Sequence, residues 1–192
     1  MDSPSLPIEE IRGELLDALQ APSPRILLKA PTGSGKSTGV PPMMDDAGLG
    51  ERGLIVVVQP RRMAARLLAR HVARLRGVEL GKEVGYVVRF ERHISPRTRI
   101  AYVTDGMLER WLTERPALEG VSAVVFDEFH ERSLSGDLSL GRVLDLQEGP
   151  RPDMAVAVMS ATLEISGLRD YMGASCRVLE AHGRQYLSLI HI

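Results

Sequence analysis

The run Ala30-Pro31-Thr32-Gly33-Ser34-Gly35-Lys36-Ser37-Thr38 carries the residue types that hold phosphate. Gly33 and Gly35 let the backbone curl so that successive N–H groups point inward at phosphate oxygens. Lys36 would neutralise the terminal phosphates, and the Ser37 hydroxyl would ligate Mg²⁺. The run departs from G-x-x-x-x-G-K-[ST] at its first position, where Ala30 stands in place of glycine. Further along, the apolar run Val121–Phe126 ends in Asp127-Glu128-Phe129-His130. Asp127 would hold Mg²⁺ through water, and Glu128 would orient or deprotonate an attacking water. Alone, this pair also reads as a solvated acidic turn. Beside a phosphate loop it supplies the groups that the loop lacks.

These residues need elements to place them. Arg25–Lys29 reads as a short apolar strand running into the glycine-rich loop, and a helix must follow the loop for its N-terminus to face phosphate. Strands are predicted at 54–58, 84–88, 99–103, 121–126, 154–159 and 176–180, with helices at 61–76, 105–114, 137–147 and 164–171 between them. Runs such as Leu54-Ile55-Val56-Val57-Val58 suit a sheet covered on both faces. The alternation implies a parallel α/β sandwich, in which ligands bind at the carboxyl ends of the strands. Residues 7–20 place Ile8, Ile11, Leu15 and Leu19 at helical spacing, so residues 1–22 form a docking helix ahead of a domain spanning 23–186.

The chain has 192 residues, 44% hydrophobic and 26% charged, with 24 Lys and Arg against 25 Asp and Glu. That composition belongs to a globular chain and excludes bulk disorder. Apolar runs stop far short of the roughly 18 residues that span a bilayer, and no basic segment opens the chain, so no membrane partner is expected. The single cysteine, Cys176, admits no internal disulfide and fits a reducing, cytoplasmic setting. Residues 51–115 hold 14 Lys and Arg but only 7 Asp and Glu, which points this segment at an anionic partner. On α-helical spacing, Arg62, Arg66, Arg70 and Arg74 form a basic ridge opposite Ala64, Leu68, Val72 and Leu75, with Arg66 and Arg74 reading as solvated.

Five segments in order resemble the first RecA-like domain of superfamily 2 DEAH-box helicases. They are Ala30–Thr38, Gln59-Pro60-Arg61-Arg62-Met63-Ala64-Ala65, Thr104-Asp105-Gly106-Met107-Leu108, Asp127-Glu128-Phe129-His130-Glu131-Arg132-Ser133 and Ser160-Ala161-Thr162-Leu163. Phe129 in the acidic box and the wording of the phosphate loop favour a bacterial branch. The resemblance implies a P-loop NTPase, RecA-like three-layer sandwich with a mainly parallel sheet, and an ATP-dependent nucleic-acid helicase, RNA being the expected substrate. Thr32, Gly33, Ser34, Gly35, Lys36, Ser37 and Thr38 would bind nucleotide, with Arg70 stacking on its base. Lys36, Asp127, Glu128 and His130 would serve catalysis, with ATP and Mg²⁺ as cofactors and Ser37 and Asp127 as the metal's ligands. Arg61, Arg62, Thr104, Asp105 and Gly106 would touch single-stranded RNA or DNA, while Ser160 and Thr162 would couple nucleotide state to grip. Arg89 and Phe90 are possible base contacts, although Phe90 reads more readily as a core residue.

Such helicases need a second RecA-like domain, whose arginines are worth about 10³ to 10⁵ in rate in related NTPases. This chain lacks those motifs, so it is expected to bind nucleotide, hydrolyse it slowly and unwind nothing by itself. After Gly183-Arg184-Gln185-Tyr186 the family usually has proline, whereas residues 187–192 read Leu-Ser-Leu-Ile-His-Ile, as in a truncated or non-native tail. Two other readings stay open: a P-loop NTPase switch, and a non-enzymatic nucleic-acid-binding module.

Overall fold

Alternation of strand and helix along the chain resolves into one eight-stranded sheet with helices on both faces. The structure, a computed structural model, describes residues 7–162 and 165–182. The strands are β1 (Arg25–Lys29), β2 (Leu54–Gln59), β3 (Val84–Val88), β4 (Glu91–His93), β5 (Ile100–Thr104), β6 (Val121–Phe126), β7 (Ala155–Ser160) and β8 (Arg177–Glu180). They lie in the order β4-β3-β5-β2-β6-β7-β1-β8, parallel throughout except for β4, which turns back antiparallel on β3 at the sheet edge.

The near-continuous apolar strands are buried on both sides, as their composition requires. Ile26, Leu28, Ile55 and Val57 face a core shared with α1 (Arg12–Leu19), α2 (Lys36–Asp46) and α4 (Arg62–Leu75). Leu27, Val56 and Val58 face a second core shared with α5 (Asp105–Glu114), α6 (Leu134–Glu148) and α7 (Ile165–Met172). The one-turn helix α3 (Leu49–Arg52) leads into β2. These three layers are the sandwich that the sequence implies.

Three local readings need correction. The amino-terminal segment is a 3₁₀ turn over Pro7–Ile11 before α1, and Ile8 and Ile11 are buried in it. On α4 the buried stripe is Ala65, Ala69, Val72 and Ala73, while Leu75 is 62% exposed. Alanines let the helix lie close to the sheet, which turns the stripe away from the leucines. Arg66 is not a free solvated charge, because it pairs with Glu91 of β4. No described helix is long and apolar enough to cross a membrane. The expected tail at 187–192, the end of the 23–186 domain and Leu163 lie outside the described residues.

Candidate nucleotide and nucleic-acid site

The phosphate loop leaves the carboxyl end of β1 and enters α2. Gly33 and Gly35 adopt φ of 81° and 88°, the left-handed region that glycine reaches without steric cost. Ser34 N–H donates to Pro31 C=O at 3.2 Å, and Gly39 N–H donates to Gly35 C=O at 2.7 Å, starting the helix at Lys36. The loop is braced from below, because Ile8 N–H donates to Ser34 C=O at 3.3 Å. A Cβ on Gly39 would come within 2.8 Å of Ile8, so glycine there permits the brace.

Lys36 is buried at the mouth of this loop, and its Nζ lies 2.8 Å from Glu128 Oε1. Asp127 and Glu128 follow β6, two strands from β1, with β7 between them. That intervening strand ends at Ser160, whose carbonyl accepts Ala30 N–H at 3.1 Å. The Ser37 hydroxyl lies near enough to Asp127 to favour its charged form, and Gln59 Nε2 donates to Asp127 Oδ2 at 2.5 Å. Burial pushes the Asp127 carboxyl above the usual carboxylate range, against the pull of the Ser37 hydroxyl and the Gln59 amide. His130 Nε2 lies 3.3 Å from Glu128 Oε2, and its Nδ1 accepts Ala161 N–H at 3.4 Å. Thr162 N–H in turn donates to Ser160 Oγ at 3.4 Å. The structure thus gathers Lys36, Ser37, Asp127, Glu128, His130 and Ser160 at one end of three adjacent strands, β6, β7 and β1.

Two residues outside the expected set also hold this cluster. Gln59 fixes the Asp127 rotamer, and Tyr102 of β5 donates its buried hydroxyl to Ser37 C=O at 2.8 Å. Gln59 was visible in the sequence only as the start of a basic segment. Tyr102 left no signal beyond an aromatic in a strand.

The residues expected to touch nucleic acid divide. Arg62, Thr104 and Gly106 border a cavity of about 810 Å³, whose lining also includes Arg89, Arg92 and Arg110. Phe90, read from sequence as core, is 89% exposed at the β3–β4 turn with φ of 69°, and Arg89 stacks on its ring at 4.7 Å. Asp105 is instead turned toward the acidic box, where it accepts a hydrogen bond from Ser133 Oγ at 2.9 Å. Arg61 pairs with Glu131 of the same box. Arg70 is exposed in a shallow hollow of α4 with Leu67, Leu68, His71 and Arg74, and joins none of the hydrogen bonds around Lys36 among the described residues.

Oxygen donors from Ser37 and Asp127 suit a hard divalent cation, which takes one or two protein oxygens and completes its shell with phosphate and water. No group of three or more His, Cys, Asp or Glu able to hold a metal occurs among the described residues, so the pair would hold the ion only with a phosphate ligand's help.

The DEAD/DEAH box helicase model matches residues 10–171. The chain is 42% identical over 182 residues to ATP-dependent RNA helicase HrpB of Escherichia coli, a match covering 95% of this chain and 22% of that protein. It is 40% identical over 184 residues to the probable ATP-dependent RNA helicase DHR2 of Saccharomyces cerevisiae, covering 95% of this chain and 25% of that one. The crystal structure of the E. coli DExH-box NTPase HrpB superposes with a TM-score of 0.88 at 42% identity, over 96% of this chain and 22% of that chain. This chain therefore spans about a quarter or less of the length of these relatives.

Proposed function

Because the chain belongs to the DEAD/DEAH box helicase family, we propose that it is the ATP-binding RecA-like domain of an ATP-dependent RNA helicase, acting on a single strand when joined to a second RecA-like domain. The domain would span residues 23–186, with 1–22 as its docking segment. The observation that carries this reading is the convergence of Lys36, Ser37, Asp127 and Glu128 in one cluster, with Lys36 paired to Glu128 and Ser37 beside Asp127. Residues 32–38 would wrap the phosphates with backbone N–H groups, and Lys36 Nζ would turn from Glu128 to the terminal phosphates. Ser37 and Asp127 would hold Mg²⁺, which supplies charge neutralisation at the β- and γ-phosphates when bound. Glu128, freed of Lys36, would accept a proton from the attacking water, while His130 passes its state to Ala161 and onward to Ser160 and Thr162.

RNA is favoured because both curated relatives are named as RNA helicases. The basic lining around Arg62, Thr104 and Gly106 supports a phosphate backbone there. A reducing, cytoplasmic setting accords with the lone buried Cys176.

Titration of this chain with fluorescent ADP, with and without Mg²⁺, tests the reading. Magnesium-dependent binding that disappears in Lys36→Ala is the expected result. Unchanged affinity in that variant would remove Lys36 from the phosphate site. Stimulation of ATP hydrolysis by single-stranded RNA in the longer protein separates a helicase motor from a simple nucleotide switch.

A further inference from the structure

Arg61 follows β2 but does not reach freely into solvent. Its Nε and Nη2 donate to Glu131 Oε2 and Oε1 at 3.2 and 3.0 Å. A two-pronged guanidinium–carboxylate pair has the geometry that arginine also uses on phosphate. Arg61 is 72% exposed and Glu131 34%, so a phosphate can reach the guanidinium while it is engaged.

Glu131 is not an isolated surface carboxylate. Its N–H donates to Glu128 C=O at 2.9 Å, and Glu128 is the residue that holds Lys36 and His130. The turn between them is bounded by Glu128 at φ 49° and Arg132 at φ 41°, both left-handed without being glycine. Such a backbone persists only where its surroundings hold it, and strained segments of this kind cluster at switching sites. The next residue, Ser133, donates to Asp105 Oδ2 at 2.9 Å and accepts Gly136 N–H at 2.9 Å as the cap of α6. Side-chain contacts thus tie the acidic turn both to the basic segment after β2 and to the start of α5, beside Thr104 and Gly106.

We infer that Glu131 stands in for a nucleic-acid phosphate on Arg61, and that their competition carries strand binding to the Glu128 turn. This rests on the reading of Arg61 as a strand contact. A strand phosphate that takes Arg61 leaves Glu131 unpaired and relaxes a turn whose backbone bond ends on Glu128. The dependence is reciprocal, because any nucleotide that binds one arrangement of the turn better than another alters the affinity for the strand by the same factor. Glu131 acts here as a positioning residue and touches neither reactant.

The test is fluorescence anisotropy of a labelled single-stranded oligouridylate with this chain, over a salt series, in the unsubstituted, Glu131→Gln, Arg61→Ala and doubly substituted forms. Glu131→Gln is expected to tighten binding about two- to fivefold, the span that an exposed ion pair supplies. It should also steepen the log–log salt slope by about 0.7, the value for one phosphate neutralised on a single strand, because the Arg61–phosphate contact is then no longer offset by freeing the Glu131 carboxylate. In the Arg61→Ala background, Glu131→Gln should change nothing. An equal tightening in that background would overturn the inference, since loss of a negative charge alone would then explain it. Unchanged affinity in Glu131→Gln would overturn it as well. ADP with Mg²⁺ should shift the oligonucleotide affinity of the unsubstituted chain more than that of Glu131→Gln, and equal shifts would remove the link to the nucleotide site. Failure of the unsubstituted chain to bind the oligonucleotide overturns the nucleic-acid reading as well, whereas binding with a flat cycle removes the role of Glu131 alone.

Discussion

The two ends of the sheet treat buried charge in opposite ways. At the amino ends of the strands, Arg25 is buried with every arm engaged: Nε on Gln147 Oε1 at 2.6 Å, Nη1 on Met172 C=O at 2.7 Å and Nη2 on Glu148 Oε1 at 2.9 Å. Gln147 donates onward to Pro24 C=O and Met154 C=O. Arg151 does similar work nearby, donating to the carbonyls of Ala117, Leu118 and Val121. Apart from the exposed carboxylates of Glu148 and Asp153 at the rim, these partners are main-chain or fixed amide groups that no ligand can replace. At the carboxyl ends, Lys36 and Asp127 are equally buried, yet their partners are one another's neighbours and a carboxylate. Gln59 holds Asp127 in place, but the Lys36–Glu128 pair is one that a phosphate and a water could take over. One end is closed; the other holds the contacts that the proposed nucleotide site would exchange.

Substitutions at the two ends should therefore separate stability from binding. The largest effect is expected for Arg25→Met, which orphans Gln147 Oε1 and Met172 C=O and should lower unfolding free energy by about 3 kcal/mol. Urea denaturation measures this, and ADP affinity of the folded variant should stay unchanged. A loss of affinity there would show that the closed end also shapes the site. Gln59→Leu should do the reverse. Removal of the donor to Asp127 is expected to raise the Mg²⁺ concentration for half-maximal nucleotide binding about tenfold, as loss of a ligand's outer partner typically does. Binding measured without Mg²⁺ should be preserved, and an equal loss under both conditions would mean that Gln59 supports the loop instead of the metal ligand.

The smallest effect concerns Asp45, buried on α2 beside Arg76 and Arg99. Burial pushes its carboxyl above the ordinary value despite the two arginines. A raised folded value means that the native state binds more protons than the unfolded chain between the ordinary and the raised value. Its contribution is therefore fully favourable below the ordinary range and is lost as pH rises through the raised value. Compared with Asp45→Asn, the unsubstituted chain should gain relative stability as pH falls from 7 toward 4, read from denaturant melts at both values. A constant difference between the two proteins would remove Asp45 as the source.

Much of the candidate site was legible because its parts are local. The glycine spacing before Lys36, the carboxylates after an apolar strand and the continuous apolar run of β2 each need only a few consecutive residues to be read. The basic helix was harder. Arginines at four-residue intervals mark an exposed stripe, but which residues lie opposite depends on how closely α4 approaches the sheet, and small alanines took that place. Phe90 misled for a related reason, since an aromatic at a two-residue turn has no core to enter. Arg61 and Asp105 were placed at the right strand ends, yet their hydrogen-bonding partners could not be seen.

By itself, the sequence determined the fold class and the positions of the glycine-rich loop and the acidic box after their strands, because periodicity and spacing along the chain encode them directly. Only the tertiary structure decided that Gln59 meets Asp127, that Arg61 meets Glu131 and that Asp105 meets Ser133, contacts between residues 68, 70 and 28 apart in sequence. For the first two contacts the physical reason is strand order: β2 lies beside β6, so the segments leaving their carboxyl ends are brought within hydrogen-bonding distance.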